Sequence, residues 1–163
     1  MVMRIILFFL LIGFNSFGQS PEYQKMLKQY YNGFPTISCS EAARKIGNPS
    51  VLFLDTRKEE EFEISHIRGA TCVGYDDFSM SSLKLVPKDA EIIVYCSIGA
   101  RSQTIGEKLK KEGYTNVKNL YGGFFQWNNS GLQKIDSHGN PTVRIHGFSK
   151  EWGKWITKGK IVY

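Results

Sequence analysis

Two short runs of apolar residues constrain the fold of this chain more than any other feature. Residues 51–54 (VLFL) and 92–95 (IIVY) are apolar without interruption. A strand with one face in solvent alternates apolar and polar residues, whereas a strand of a parallel sheet is covered on both faces and is apolar throughout. Asp55 follows the first run and Cys96 follows the second. Because sites in parallel sheets form beyond the carboxyl ends of the strands, we expect both residues near such a site.

Helical patterns precede, separate and follow these two runs. Apolar spacing predicts helices over residues 23–31, 38–46, 58–64, 79–85 and 102–112. Two further short strands are predicted over residues 36–38 and 117–120. Strands that alternate with helices are typical of an α/β domain with a mostly parallel sheet.

Cys96 lies at the predicted turn from strand to helix. The first N–H groups of a helix have no intrahelical partner and favour negative charge, so this turn suits a thiolate, a persulfide or an oxyanion leaving group. We expect the backbone of Ser97, Ile98, Gly99, Ala100 and Ser102 to form the loop around that sulfur. Within it, Gly99 is expected to supply a positive φ, and Ser102 to cap the helix. Arg101, on the same turn, is expected to point inward.

Residues 1–18 have the form of a cleaved secretory signal. Arg4 gives a positive start, residues 5–12 are apolar, and small residues stand near position 18. We expect export, either to the periplasm or out of the cell. A retained anchor is the alternative, but it requires about 20 apolar residues, and Asn15 ends this run early. We therefore expect no stable membrane anchor after cleavage.

Composition narrows the classes of function. The net charge of +6 comes from scattered lysines and not from a dense basic stripe, so we expect no nucleic-acid partner. The chain has three cysteines without a CxxC or Cys/His pattern, so we expect no metal and no cofactor. An odd number of cysteines in an exported protein leaves at least one free thiol, which is expected to be either buried or functional.

The order of motifs resembles the single-domain rhodanese family of sulfurtransferases. The motifs are LDTR at 54–57, EEF at 60–62, HIRGA at 66–70, CSIGARS at 96–102, GY at 113–114, GG at 122–123 and Trp127. The resemblance covers about residues 35–130. It implies one α/β domain with a parallel sheet of about five strands flanked by helices. Outside it lie the signal at 1–18, an N-terminal helix region at 19–34 and an aromatic extension at 131–163 that packs on the domain.

The same resemblance implies a reaction. Cys96 would take a sulfane sulfur from a small anionic donor such as thiosulfate and pass it, as a persulfide, to a thiol or to a thioredoxin-like protein. Arg101 would help to bind the anionic donor. Asp55 and Arg57 would order the surroundings of the loop, or would equally form a structural ion pair.

Some residues depart from the family pattern, and other functions remain open. Ser65, Arg68 and Cys72 replace a common glycine, proline and asparagine. We expect Cys72 to be a small buried side chain and not a resolving thiol. A cysteine-dependent phosphatase would need a longer loop before Arg101, and a non-enzymatic binding or stress-related module would not need Cys96. Four aromatic residues belong either to the core or to a surface for an acceptor: Trp127, Phe148, Trp152 and Trp155.

Overall fold

The computed structural model describes residues 20–163. The signal peptide predicted for residues 1–18 lies outside them. In chain order the helices are α1 (Pro21–Leu27), α2 (Cys39–Ala43), α3 (Glu59–Ile64), α4 (Ala100–Lys111), α5 (Gly123–Asn129) and α6 (Lys150–Gly153). The strands are β1 (Thr36–Ile37), β2 (Val51–Asp55), β3 (Ala70–Cys72), β4 (Glu91–Tyr95), β5 (Val117–Leu120), β6 (Arg144–His146) and β7 (Lys160–Val162).

Within residues 20–163, the main sheet has five parallel strands in the order β1-β5-β4-β2-β3. This confirms the predicted α/β class with its parallel sheet flanked by helices. The register pairs Asp55 with Tyr95 at the ends of β2 and β4. The residue after β4 is Cys96, so the structure brings Asp55 and Cys96 to neighbouring positions at the carboxyl ends of these two inner strands.

The sheet is covered on both faces, as the apolar runs predict. Ile92 and Val94 pack into one apolar cluster with Ile105 of α4. Ile93, which alternates with them, belongs to the other cluster, together with Phe124 of α5. Residues 92–95 of β4 are therefore buried, and the loop after them begins from a rigid position.

Helix bounds differ from the predictions at several places, and helix α2 ends at Ala43 where the sequence predicts residue 46. Helix α1 ends at Leu27 although the apolar spacing continues to Tyr31, and the predicted helix at 79–85 is a short 3-10 helix, Met80–Leu83. Helix α4 begins at Ala100 and its N-cap is Gly99, so the prediction that Ser102 caps it is wrong. The positive φ at Gly99 turns the chain into the helix before Ser102 is reached.

The segments that precede and follow the main sheet in the sequence pack onto the same core. Tyr23 and Leu27 of α1 are buried there, as are Ile145 of β6 and Ile156. The strands β6 and β7 form a separate parallel pair. In the described part of the chain, no helix is both long enough and apolar enough to cross a membrane.

Candidate active site

The loop after β4 wraps around the sulfur of Cys96. The Cys96 side chain is 1% exposed. The N–H of Gly99 donates a hydrogen bond to its Sγ, with a distance of 3.2 Å. The φ of Gly99 is 105°, as the sequence predicts, which places that N–H on the inner side of the turn. The sulfur thus lies at the N-terminal end of α4, where the helix dipole favours a negatively charged atom.

Helix α5 holds the loop from behind. The N–H of Phe124 donates to the carbonyl oxygen of Cys96 (2.8 Å), and the N–H of Phe125 donates to that of Ser97 (2.9 Å). A Cβ atom on Gly123 would clash with the Cys96 carbonyl oxygen. The GG motif is therefore needed for the close approach of α5 to the cysteine loop.

Tyr31 and Asn119 fix the outer part of the loop. The Tyr31 hydroxyl accepts a hydrogen bond from the N–H of Gly122 (2.7 Å) and donates to the carbonyl oxygen of Ile98 (2.8 Å). A side chain at Gly99 would collide with this hydroxyl. Asn119 donates to the carbonyl oxygen of Gly99 (2.8 Å) and accepts a bond from the Ser102 hydroxyl (2.8 Å). Ser102 therefore supports the loop through Asn119 and not as a helix cap.

Arg101 forms an ion pair with Glu61 of α3. Its Nη1 and Nη2 donate to the two carboxylate oxygens of Glu61 at 2.8 and 3.0 Å, and Nη2 also donates to the Ser97 hydroxyl at 3.0 Å. Ser97 in turn donates to Glu61 Oε1 (3.1 Å). Arg101 points inward, as predicted, but its charge is already balanced by a carboxylate.

Glu61 is 1% exposed and the Arg101 side chain is 19% exposed. Burial alone would raise the pKa of Glu61, but the hydrogen bonds and charge of Arg101 outweigh it and lower that pKa below its ordinary value. The carboxylate is therefore ionised at neutral pH, and the pair ties α3 to the cysteine loop.

Asp55 and Arg57 form a second ion pair beneath the loop. Both side chains are fully buried, and Arg57 Nη2 donates to Asp55 Oδ2 at 2.6 Å and to the Ser65 carbonyl oxygen at 2.8 Å. The guanidinium lies 4.1 Å from the ring centre of Phe124, whose N–H binds the Cys96 carbonyl. Burial opposes the charge of Arg57, but Asp55 outweighs this and raises the pKa of Arg57. The pair supports the loop through Phe124, and neither residue lines the pocket described next.

A pocket of about 140 Å³ lies over the cysteine. Its lining consists of Cys96, Ser97, Ile98, Ala100 and Arg101 from the loop and α4, together with Tyr30, Phe148 and Trp152. The ring of Phe148 covers the Arg101 guanidinium at 4.9 Å. We refer to Tyr30, Phe148 and Trp152 as the aromatic collar. It is built from the two segments that flank the domain, so the pocket needs both of them.

The other two cysteines lie away from this pocket. All three thiols are free. Cys39 is buried, whereas Cys72, which was expected to be buried, is only half-buried, because its strand β3 is an edge strand of the sheet. Burial is the main cause that raises the pKa of both Cys39 and Cys72 to about 12. Both are therefore poor nucleophiles at neutral pH. In residues 20–163, no group of three or more His, Cys, Asp or Glu side chains is placed to hold a metal ion.

Sequence reasoning did not assign a site role to Glu61, Tyr30 or Tyr31. Glu61 stands in the EEF motif, on the helix that follows β2, the strand next to β4. An acidic side chain close to the arginine of the cysteine loop was the signal that could have identified it. Tyr30 and Tyr31 carry no such signal, because their apolar spacing is also that of an ordinary helix face. Of the four aromatic residues predicted for the core or an acceptor surface, Phe148 and Trp152 lie in the pocket wall. Trp127 is buried in the core, and Trp155 packs against it.

Comparisons with known proteins agree with this fold. The family model described as rhodanese-like domain matches residues 38–130. A tRNA uridine(34) hydroxylase of Escherichia coli is 27% identical over 130 residues, which is 74% of this chain but 36% of that protein. The chain therefore spans about a third of the length of this curated relative.

Solved structures show the same fold at lower identity. The rhodanese-like domain of an Anabaena protein is 22% identical, with a TM-score of 0.57 over 63% of this chain and 79% of that one. A thiosulfate sulfurtransferase from Pseudomonas aeruginosa is 21% identical, with a TM-score of 0.58 over 76% of this chain and 23% of that one. At these identities the likeness is one of fold.

Proposed function

The chain belongs to the rhodanese-like domain family, and from this membership and the geometry around Cys96 we propose that it is a sulfurtransferase. Cys96 carries a sulfane sulfur as a persulfide between a donor and an acceptor. The observation that carries the proposal is the position of Cys96 Sγ, which accepts the Gly99 N–H at the start of α4 and forms part of the pocket lining. A nucleophile with access to a pocket and a preorganised electrostatic environment is what covalent group transfer requires.

In the first half-reaction the Cys96 thiolate attacks the outer sulfur of thiosulfate. A bond forms between Sγ and that sulfur, and the bond to the sulfonate group breaks. Sulfite leaves with the electron pair, and the protein keeps an anionic persulfide. The N–H groups at the start of α4 stabilise this negative charge as it moves from Sγ to the outer sulfur.

In the second half-reaction a thiolate acceptor attacks the outer sulfur of the persulfide. The new bond joins the acceptor sulfur to the transferred sulfur, and the bond to Sγ breaks with its electron pair returning to Cys96. The transferred sulfur keeps its negative charge and becomes the terminal sulfur of the acceptor's persulfide, so no proton, oxidant or reductant is consumed. A small thiol and a thioredoxin-like protein are both acceptors of the right chemistry.

The surrounding residues keep the loop in this geometry. The Glu61–Arg101 pair and Ser97 join α3 to the loop, and Asp55 with Arg57 supports it from beneath through Phe124. Arg101 lines the pocket beside Cys96 and is the cation nearest to an incoming donor within that lining. Both of its terminal nitrogens bind Glu61, so we propose that Arg101 positions the loop and that the N–H groups at the start of α4 stabilise the anionic donor.

Single-turnover kinetics test the proposal. Without an acceptor, the protein should release about one equivalent of sulfite from thiosulfate in a burst. Cys96→Ala should release none, whereas the matched control Cys72→Ala should retain the burst. A wild-type protein that releases no sulfite and takes up no sulfur would refute the proposal and leave a non-enzymatic binding module.

Two other activities fit the structure less well. A cysteine-dependent phosphatase would use its arginine to hold phosphate, but both terminal nitrogens of Arg101 bind Glu61 here, and four residues separate it from Cys96. The hydroxylation named for the Escherichia coli relative belongs to a protein of which this chain matches 36%. Turnover of an aryl phosphate that depends on Cys96 would reinstate the phosphatase.

We also propose that the protein acts after export, in the periplasm or outside the cell. The support is the signal-like pattern of residues 1–18. N-terminal sequencing of the protein purified from its own cells tests this. A mature protein that begins near residue 19 is expected, and retention of residues 1–18 on a cytoplasmic protein would contradict it.

A further inference from the structure

The aromatic collar lies outside the residues that the family model matches. The match covers residues 38–130, whereas Tyr30 precedes it and Phe148 and Trp152 follow it. Tyr30 and Trp152 contact each other edge to face with ring centres 6.0 Å apart, a geometry that aromatic pairs favour. Family membership therefore does not determine which ligand the collar accepts.

Charge in the pocket does not favour an anionic acceptor. Among the residues of 20–163 that line the pocket, Arg101 is the only charged one. Its two terminal nitrogens bind the Glu61 carboxylate at 2.8 and 3.0 Å, and the Phe148 ring covers its face. An acceptor with a negative group would meet a cation that is already paired, with an ionised carboxylate beside it.

The size of the pocket suits one apolar group. Its volume is about 140 Å³, and an apolar cavity of about 150 Å³ in another protein takes up benzene. Ile98 and Ala100 add aliphatic surface between the collar and the sulfur. A ring or a branched aliphatic group attached to a thiol by one carbon would fill this space with its sulfur directed at Cys96.

Phe148 is held in its position at a conformational cost. Its φ is 62°, the positive value that is rare for residues other than glycine. Its side chain is 46% exposed, so burial of the ring is not what fixes this conformation. The N–H of Phe148 binds His146 Nδ1 (3.0 Å), and its ring lies on Arg101. Backbone strain of this kind concentrates at ligand-binding positions.

We propose that the aromatic collar selects the sulfur acceptor, and that the preferred acceptor is a small thiol carrying an uncharged apolar group about the size of a benzene ring. This rests on the proposed sulfurtransferase function. The acceptor thiolate forms a bond to the outer sulfur of the Cys96 persulfide, the bond from that sulfur to Sγ breaks, and Cys96 leaves as a thiolate. The apolar group occupies the collar while the sulfur is transferred.

Transfer rates from a preformed persulfide test the proposal. The persulfide is made with thiosulfate, freed of excess donor, and mixed with benzyl mercaptan, 2-mercaptoethanol or 2-mercaptoethanesulfonate. Rates are divided by the thiolate fraction of each acceptor. Burial of a benzyl group predicts a second-order rate constant about tenfold to a hundredfold higher for benzyl mercaptan than for the other two.

Two variants remove the collar in different ways. Trp152→Ala shortens one wall, and Phe148→Gly removes the ring while glycine adopts the positive φ without strain. Each should lower the rate ratio of benzyl mercaptan to 2-mercaptoethanol at least about fivefold, because the apolar group of benzyl mercaptan loses more contact area than 2-mercaptoethanol does. Leu85→Ala, at a side chain 89% exposed and outside the pocket lining, is the control and should keep the preference.

The outcomes separate the two proposals. Equal corrected rates for the three thiols, or a preference that survives in both collar variants, would overturn acceptor selection and leave the sulfurtransferase intact. If no persulfide forms, the sulfurtransferase proposal fails, and acceptor selection fails with it. A preference that is lost in the collar variants and kept in Leu85→Ala supports both.

Discussion

The ion pair between Glu61 and Arg101 makes a quantitative prediction. Glu61→Gln keeps the shape of the side chain but removes its charge and places an amide N–H₂ opposite one of the guanidinium nitrogens. Removal of one partner from a buried pair costs about 3–5 kcal/mol. Arg101 is 19% exposed and regains some hydration, so we expect the lower end, a loss of about 3 kcal/mol in the free energy of unfolding.

Urea unfolding followed by far-UV circular dichroism measures this loss. With an m-value of about 2 kcal/mol per molar urea, the midpoint should fall by about 1.5 M. Glu60→Gln is the matched control, because Glu60 is the exposed neighbour on the same helix, and it should change stability by less than about 0.5 kcal/mol.

A double variant tests the cause of the loss. If the cost comes from a guanidinium left without its carboxylate, removal of the guanidinium as well should restore part of the stability. Glu61→Gln combined with Arg101→Met should therefore unfold at a higher urea concentration than Glu61→Gln alone. Equal midpoints for Glu61→Gln and Glu60→Gln, or a double variant weaker than the single one, would refute the reasoning.

Three further predictions concern the support of the loop. Tyr31→Phe should cost about 1–3 kcal/mol in urea unfolding, because the N–H of Gly122 loses its acceptor, and an unchanged midpoint would contradict this role. Asp55→Asn should cost about 3–5 kcal/mol, because it leaves the buried charge of Arg57 without its partner, and a loss under about 1 kcal/mol would count against it. The pKa of Glu61 is lower in the folded chain than its ordinary value of 4.5, so its ion pair adds stability that is complete above that pH and is lost as the pH falls through the folded pKa. The stability gap between the wild type and Glu61→Gln should shrink from neutral pH to about pH 3, and a constant gap would contradict the ion pair.

Much of the fold follows from local sequence. The uninterrupted apolar runs before Asp55 and Cys96 predict strands covered on both faces, and the sheet confirms this. The start of α4 was predicted two residues too late, because a serine is a common N-cap and the sequence does not show that Gly99 takes a φ of 105°. The loop contains two residues that can begin a helix, Gly99 and Ser102, and the prediction took the wrong one.

The pocket walls are harder to predict because they depend on contacts between distant parts of the chain. Glu61 and Arg101 are 40 positions apart, and the Tyr31 hydroxyl meets Ile98 from 67 positions away. Phe148 contacts Arg101 from the C-terminal extension, in which the spacing of apolar residues indicates neither a helix nor a strand. Such contacts are set by the packing of the flanking segments on the sheet, and one sequence does not record that packing.

The intact mass of the protein after exposure to thiosulfate tests the central claim most directly. The account predicts that the wild type gains the mass of one sulfur atom, that peptide fragmentation places it on Cys96, and that addition of a thiol removes it. Cys96→Ala should gain nothing, and Cys72→Ala should behave as the wild type does. An unchanged wild-type mass under excess thiosulfate, or a gain that persists in Cys96→Ala, would contradict the account.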